Sequence, residues 1–322
     1  MATLVETIDL TKYYHPSSIW ILSGLKNVKA VEKVSLKVEE GEAYGLVGES
    51  GCGKTTMGRL VLRLVEPTSG KVLFDGKDVL TFTAEQMKEY RRNTQIVFQN
   101  PFLSMNPRRS IYDSLSAGFD NHNIGTKKER REWLEQLMVR VGLDPAYLNR
   151  YPHQFSGGQL QRIVVARALS LKPKFVVADE PVSALDVSIQ AQILNLMLEL
   201  RDEYQFTMLF ISHDLRVIRH MSDEIGVMYM GHLVETASKD DLFRNPKHPY
   251  TRALLEAAPR IELHGQVKGE MIQGEVWDKA PVEKGCVFYH RCSMAVDECR
   301  AIPQVLSGIE GDHRVACMRV SQ

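Results

Sequence analysis

The sequence has no apolar run that approaches the roughly 18 to 20 residues a membrane-crossing helix needs. Its first ten residues, MATLVETIDL, lack the basic and apolar segments of a signal peptide, so the chain is expected to stay in the cytosol. It also lacks any excess of charge. Lys plus Arg and Asp plus Glu are 40 each, which removes the usual reason to expect nucleic acid as the main partner. Cysteine is scarce, at 5 in 322 residues, and in a reducing compartment this argues against a disulfide framework and leaves metal binding or idle thiols. What the chain does have is length enough for two or three parts, each able to bury its own core.

Residues 48–56 read GESGCGKTT, in which Gly48, Gly53, Lys54 and Thr55 fit the pattern GxxxxGKT. Glycines there let backbone N–H groups converge on an anion, where side chains would block close approach of the phosphates. Lys54 supplies a point charge to the β- and γ-phosphates of a nucleotide, and the Thr55 hydroxyl can ligate Mg²⁺. The nucleotide-binding set expected from this run is Gly48, Ser50, Gly51, Gly53, Lys54, Thr55 and Thr56. EAYGLVG before the loop reads as a short buried strand, and Met57, Leu60, Val61 and Leu64 after it follow helical spacing. Strand, loop, helix is the required order, and it points the free N–H groups and dipole of a helix start at the nucleotide.

Segments 4–10 and 30–38 read as strands, the second with Val34, Leu36 and Val38 alternating, and KVLFDGKDV at 71–79 as strand and turn. An antiparallel β-subdomain is implied. Residues 127–143 change character, with Leu134, Leu137, Met138 and Val141 at helical spacing behind a charged start. LKPKFVVADEP then gives a buried strand after Pro173, followed by a helix with Ile189, Ile193, Leu196 and Leu200 on one face, and the strand TMLFIS at 207–212. This alternation predicts a mainly parallel sheet covered by helices, with function at the carboxyl ends of its strands. From about residue 245 the pattern breaks into a proline- and glycine-spaced tail, expected to be a separate extension.

The strand FVVADE ends in two carboxylates with different expected roles. Asp179 would hold Mg²⁺, directly or through water, and Glu180 would accept a proton from, or orient, the water attacking the γ-phosphate. FSGGQLQR at 155–162 places Ser156, Gly157, Gly158 and Gln159 just before a helix with Leu160, Ile163 and Val164 on its apolar face. This is a second anion-binding helix start. One ATP has one triphosphate, already held at Gly48 to Thr55, so a second such turn implies a second nucleotide and, most simply, a head-to-tail dimer sharing two ATPs.

These residues together resemble the nucleotide-binding subunit of an ATP-binding cassette (ABC) transporter, over roughly residues 4–245. In that family SGGQ contacts the ATP of the partner subunit; here Phe155 stands where Leu is usual and keeps an apolar anchor. The resemblance implies an α/β fold: a P-loop (RecA-like) core with an antiparallel β-subdomain, an α-helical subdomain at about 100–170, and a C-terminal extension. It assigns Gln99 to the loop that links γ-phosphate and metal with the helical subdomain, Ser183 to Asp186 to a loop crossing the dimer interface, and His213 to a switch near the γ-phosphate. Tyr13 or Tyr14 would stack on adenine, Tyr14 fitting the family spacing better. The implied machinery is therefore Lys54, Gln99, Glu180 and His213 for hydrolysis, Thr55, Gln99 and Asp179 for Mg²⁺, and Ser156 to Gln159 with Asp186 for the partner's ATP.

The tail narrows the resemblance. NPKHPYTRALLEAAP at 245–259, then Cys286, Cys292, Cys299 and Cys317 with GCVFYHRC around the first two, resemble the ATPase subunits of oligopeptide/dipeptide permeases. The expected division is a nucleotide-binding domain at 1–245 and an extension at 246–322. Four thiolates suit a [4Fe-4S] cluster, which related permease ATPases carry, with Zn²⁺ or free thiols as the alternatives. The family implies import of oligopeptides or dipeptides, with oligosaccharides or metal complexes as other cargoes. It also implies a second ATPase subunit, typically a paralogue, two transmembrane permease subunits, an extracytoplasmic solute-binding protein and a peripheral place on the cytoplasmic face of the membrane. A soluble ABC ATPase of DNA repair or translation is the competing class, but the chain has neither a coiled-coil insertion nor a second cassette.

Overall fold

The computed structural model describes residues 2–14, 28–257 and 284–320. His15 and Pro16 of the KYYHP segment, and residues 258–283 of the expected extension, lie outside them. The chain divides into two compact units. The first comprises Met1–Leu4, Val38–Glu42 and Lys77–Phe210, and the second Val5–Lys37, Ala43–Gly76 and Ile211–Gln322.

In the first unit, strands Thr94–Val97 and Phe175–Asp179 pair in parallel, with the part of Thr207–Ser212 up to Phe210 next to the latter. Both Phe175–Asp179 and Thr207–Ser212 are buried along their whole length, as strands of a sheet covered on both faces must be. The helices Ala84–Asn93, Ile111–His122, Lys127–Arg140, Gly157–Leu169 and Val187–Tyr204 carry the rest of this core. The periodic set Leu134, Leu137, Met138 and Val141 is fully buried. Thr126 and Glu129 close a capping box at the start of their helix, so the charged run KKERRE begins a helix rather than a solvated loop.

The second unit holds a sheet ordered Val28–Glu39, Thr3–Tyr14, Ser69–Phe74, whose last two strands run antiparallel in the register Val5 with Phe74 and Thr7 with Val72. The buried Thr7 hydroxyl donates to Val34 O and accepts from Leu36 N–H, both at 3.1 Å, which ties the first two strands through a side chain. Five further strands of this unit run in the order Ala43–Val47, Glu224–Tyr229, His232–Ser238, His313–Val315, Ser307–Glu310. Of these four pairs the first is parallel and the other three are antiparallel. C-terminal strands thus continue the row that begins with the strand feeding the phosphate loop.

One expectation fails in detail. The helical spacing Met57, Leu60, Val61, Leu64 runs one turn too far, because the helix spans only Lys54–Val61 and Leu64 is 52% exposed. Arg63 turns to a left-handed φ of 49° and Leu64 N–H donates back to Arg59 O at 2.8 Å, closing the helix end without glycine. Among the described residues no helix is long and apolar enough to cross a membrane.

Candidate functional site

The loop at 48–56 follows the buried strand Ala43–Val47 and opens the helix Lys54–Val61. Gly53 precedes that helix at φ 109°, and no side chain caps it. The glycines are required by the protein itself, a reason the spacing did not reveal. A Cβ on Gly53 would stand 2.0 Å from Ala30 O, and one on Gly48 would stand 2.1 Å from Met228 O. Backbone neighbours therefore fix the loop before any phosphate reaches it.

Lys54 is buried, and its ammonium donates to Gly48 O at 2.7 Å and Glu49 O at 2.9 Å. The charge is thus held inside the curve of the loop by dipoles. Ser50 and Gly51 are exposed at its tip, and Thr55 and Thr56 are half-buried on the first helical turn. Cys52 lies beside Lys54 with its Sγ 3.7 Å from Nζ, and burial raises its thiol pKa, so it is an uncharged packing residue.

The loop has supports that sequence reasoning missed. Glu49 N–H donates to Tyr250 Oη at 3.0 Å, and the Glu49 carboxylate takes both terminal nitrogens of Arg291, at 3.0 and 3.1 Å. Their separations of 201 and 242 residues leave no local signal. In the sequence the segment GCVFYHRC was marked by its cysteines alone, not by Arg291.

In the first unit Asp179 is buried at the end of Phe175–Asp179, and Glu180 follows it, half-buried, at the left-handed φ of 47°. A non-glycine residue there is strained, a cost that recurs at functional positions. Gln99 Nε2 donates to Glu180 Oε2 at 3.2 Å, bringing together two residues that the sequence had assigned separately. Ser183 Oγ donates to Glu180 O at 3.1 Å and holds the following turn, while Asp186 begins the helix Val187–Tyr204 from an exposed position.

Ser156 caps the helix Gly157–Leu169. Its hydroxyl accepts from Gln159 N–H at 3.3 Å, and Gln159 Oε1 accepts from Ser156 N–H at 3.1 Å. The turn SGGQ is therefore a closed capping box with Ser156 exposed and Gly157 and Gly158 half-buried. Phe155 is buried against Tyr147, with ring centroids 5.5 Å apart, which supports its reading as an apolar anchor.

His213 follows Thr207–Ser212 in the second unit and is exposed. Of the two candidate tyrosines, Tyr13 is engaged through its hydroxyl with Glu32 at 2.7 and 2.9 Å, whereas Tyr14 is 39% exposed with Lys12 Nζ 5.1 Å from its ring centroid. Burial and the Glu32 carboxylate push the Tyr13 hydroxyl up to about 12.

Cys286, Cys292, Cys299 and Cys317 line one cavity together with His248, Phe288 and Met294. Burial pushes the Cys286 thiol up to about 11, with the Phe288 backbone N–H opposing the shift and the three neighbouring cysteines adding to it. Cys292 and Cys317 are raised for the same leading reason. Among the described residues, no three or more His, Cys, Asp or Glu side chains are disposed to hold a single metal ion.

Residues 31–183 match the ABC transporter family, and residues 234–299 match the family described as oligopeptide/dipeptide transporter, C-terminal region. A solved ATP-binding cassette, MJ0796, described as the dimer of a post-hydrolysis state bound to ADP and Pi, is similar over 73% of this chain and 99% of its own at 28% identity and a TM-score of 0.64. The fold and the motif set define an ATP-hydrolysing enzyme of the ABC class. The chain is 48% identical to the oligopeptide transport ATP-binding protein AppF of Bacillus subtilis, over 98% of this chain and 97% of that one. It is 43% identical to the di/tripeptide transport ATP-binding protein DppF of Pseudomonas aeruginosa, over 100% and 99%. It belongs to the ATP-binding proteins of the oligopeptide/dipeptide ABC transporter family.

Proposed function

We propose that the chain binds and hydrolyses ATP to drive import of oligopeptides or dipeptides through a membrane permease, from a peripheral position on the cytoplasmic side. Full-length identity with peptide-transport ATP-binding proteins supports the cargo class. The partners of this reading are a second ATPase subunit, transmembrane permease subunits and a solute-binding protein. Its division of labour is a nucleotide-binding part at 1–245, with a helical subdomain near 100–170, and an extension at 246–322. The observation that carries the ATPase reading is the uncapped helix start at Lys54, whose ammonium lies inside the loop where phosphate charge is to be met.

Gly48 to Thr56 cradle the phosphates, Lys54 offsets charge on the β- and γ-phosphates, and Tyr14 offers its exposed ring to adenine. Thr55, Gln99 and Asp179 would hold Mg²⁺, which supplies further charge compensation when bound. Glu180 accepts the proton of the attacking water, and the Gln99 amide holds that carboxylate in place. His213 donates to the developing charge at the γ-phosphate. Ser156, Gly157, Gly158 and Gln159, with Asp186, serve the ATP of the partner subunit, and ATP-driven closure completes each site.

Replacing Glu180 with Gln should leave ATP affinity intact and cut steady-state hydrolysis by on the order of 10² to 10⁴-fold. Near-normal turnover in that variant would remove Glu180 from the mechanism.

The four cysteines lining one cavity support a [4Fe-4S] cluster held by Cys286, Cys292, Cys299 and Cys317. A cluster spreads its ligands over several irons, so it does not need the tight single-ion geometry that zinc requires. When bound it would supply a one-electron centre. Protein purified without oxygen should carry iron and broad visible absorbance, both lost in Cys292→Ser; a colourless, zinc-bearing wild type would favour zinc.

A further inference from the structure

We infer that Arg291 and Tyr250, from the C-terminal segment, are positioning residues of the ATP site: they hold the phosphate loop through Glu49. The inference rests on the ATPase reading above and adds to it two residues outside the set assigned there to nucleotide or metal.

Glu49 is the second residue of the loop and is gripped at three points. Its N–H donates to Tyr250 Oη, its carbonyl accepts from Lys54 Nζ, and its carboxylate receives Arg291 Nη1 at 3.0 Å and Nη2 at 3.1 Å. The two-pronged arrangement fixes direction as well as distance, which an ammonium cannot do. Arg291 is itself held: Nη1 lies 3.3 Å from Tyr229 Oη, and the guanidinium stands 5.7 Å from the centre of that ring. Phe288 meets Tyr229 edge-on at 5.2 Å and Tyr250 at 5.4 Å, so one aromatic group sets both supports. Tyr250 is fully buried, and the Arg291 and Glu49 side chains are only 11% and 22% exposed, which shields the pair from solvent screening.

A carboxylate beside a loop that takes up a triphosphate would repel its substrate unless it is neutralised. Arg291 supplies that compensation, and Tyr250 sets the peptide unit just ahead of the converging N–H groups. Lys54 depends on the same residue, because one of its two carbonyl acceptors is Glu49 O. The effect of losing Arg291 should therefore fall on ATP affinity and KM rather than on the chemical step. Arg291 also stands one residue before Cys292, so the segment carrying the cysteines is the one that steadies the loop.

The test measures binding of a fluorescent ATP analogue and steady-state hydrolysis with the full chain in its assembled transporter. Arg291→Gln should raise Kd and KM by about tenfold, within the usual range of coupling between sites, with kcat within about twofold. Glu49→Gln with Arg291→Gln should recover most of the affinity, since the stranded carboxylate is gone, whereas Arg291→Lys should recover little. Lys54→Ala, as the reference for the ATP site, should abolish binding. Wild-type affinity in Arg291→Gln, with binding lost in Lys54→Ala, would overturn the positioning role and leave the ATP site standing. Equal impairment of Arg291→Gln and the double variant would also overturn it, by reducing Arg291 to a packing residue. Unchanged binding in Lys54→Ala would overturn the ATP site and the inference together. Should Arg291→Gln fail to fold, Tyr250→Phe decides: it keeps the aromatic group and removes only the hydroxyl, and wild-type ATP affinity in it would sink the proposal.

Discussion

The helix that starts at Lys54 and the helix that starts at Gly157 both offer an N-terminus to an anion, yet only the second is capped by a side chain. In the first, backbone carbonyls of Ala30 and Met228 press against the glycine positions, Lys54 is buried, and Glu49 is anchored from three sides. In the second, Ser156 and Gln159 satisfy each other and Ser156 lies exposed. On the proposed function, the phosphate loop is a site finished within one chain, whereas the SGGQ turn is a stable surface feature that would gain its role only when another molecule arrives.

Mild acid should separate the two. Burial pushes His232, in the unit that carries the phosphate loop, down to about 4 from its ordinary 6.5, with Glu32 opposing the shift and Lys29 adding to it. Between those values the unfolded chain binds a proton that the folded chain does not, so stability present above about pH 6.5 is lost as pH falls towards 4. From pH 7 to pH 5 the loss through His232 should be about 2 kcal/mol, and His248, in the same unit and pushed by burial down to about 3, should add to it. Hydrogen exchange at the two pH values should show protection falling around Glu224–Ser238 before it falls in the signature helix; the reverse order would break the comparison.

A smaller effect sharpens it at the second helix. Ser156→Ala removes one cap and should cost about 1 kcal/mol in denaturant unfolding. ATP affinity of the isolated chain should stay unchanged in that variant, because the phosphate loop does not depend on the cap. A fall in that affinity would mean that the turn serves the chain's own nucleotide.

Much of this was legible in the sequence, for reasons that differ from place to place. Loop, carboxylates and signature could be proposed from the sequence because each is a short run of residues close in the chain, and the period of Leu134, Leu137, Met138 and Val141 reported a buried helix face directly. The helix end at Val61 was missed because a left-handed arginine, not a glycine, closes it. The contact of Gln99 with Glu180 and the hold of Arg291 and Tyr250 on Glu49 were invisible for another reason: long-range polar pairing depends on how distant segments meet and leaves no periodicity. The reason given for the loop glycines was incomplete, since neighbouring backbone itself excludes a side chain at Gly48 and Gly53.

Gly157→Asp tests the division of labour most directly. A Cβ at this position would meet only Leu185 Cδ2, at 3.4 Å, and an aspartate suits the first turn of a helix, so the fold should tolerate it. Its charge should nevertheless repel a phosphate brought to the turn. The account predicts that the isolated variant binds ATP within about twofold of wild type while the assembled transporter loses hydrolysis by on the order of 10²-fold or more. Equal loss of ATP binding by the isolated chain, or undiminished hydrolysis by the assembly, would contradict it.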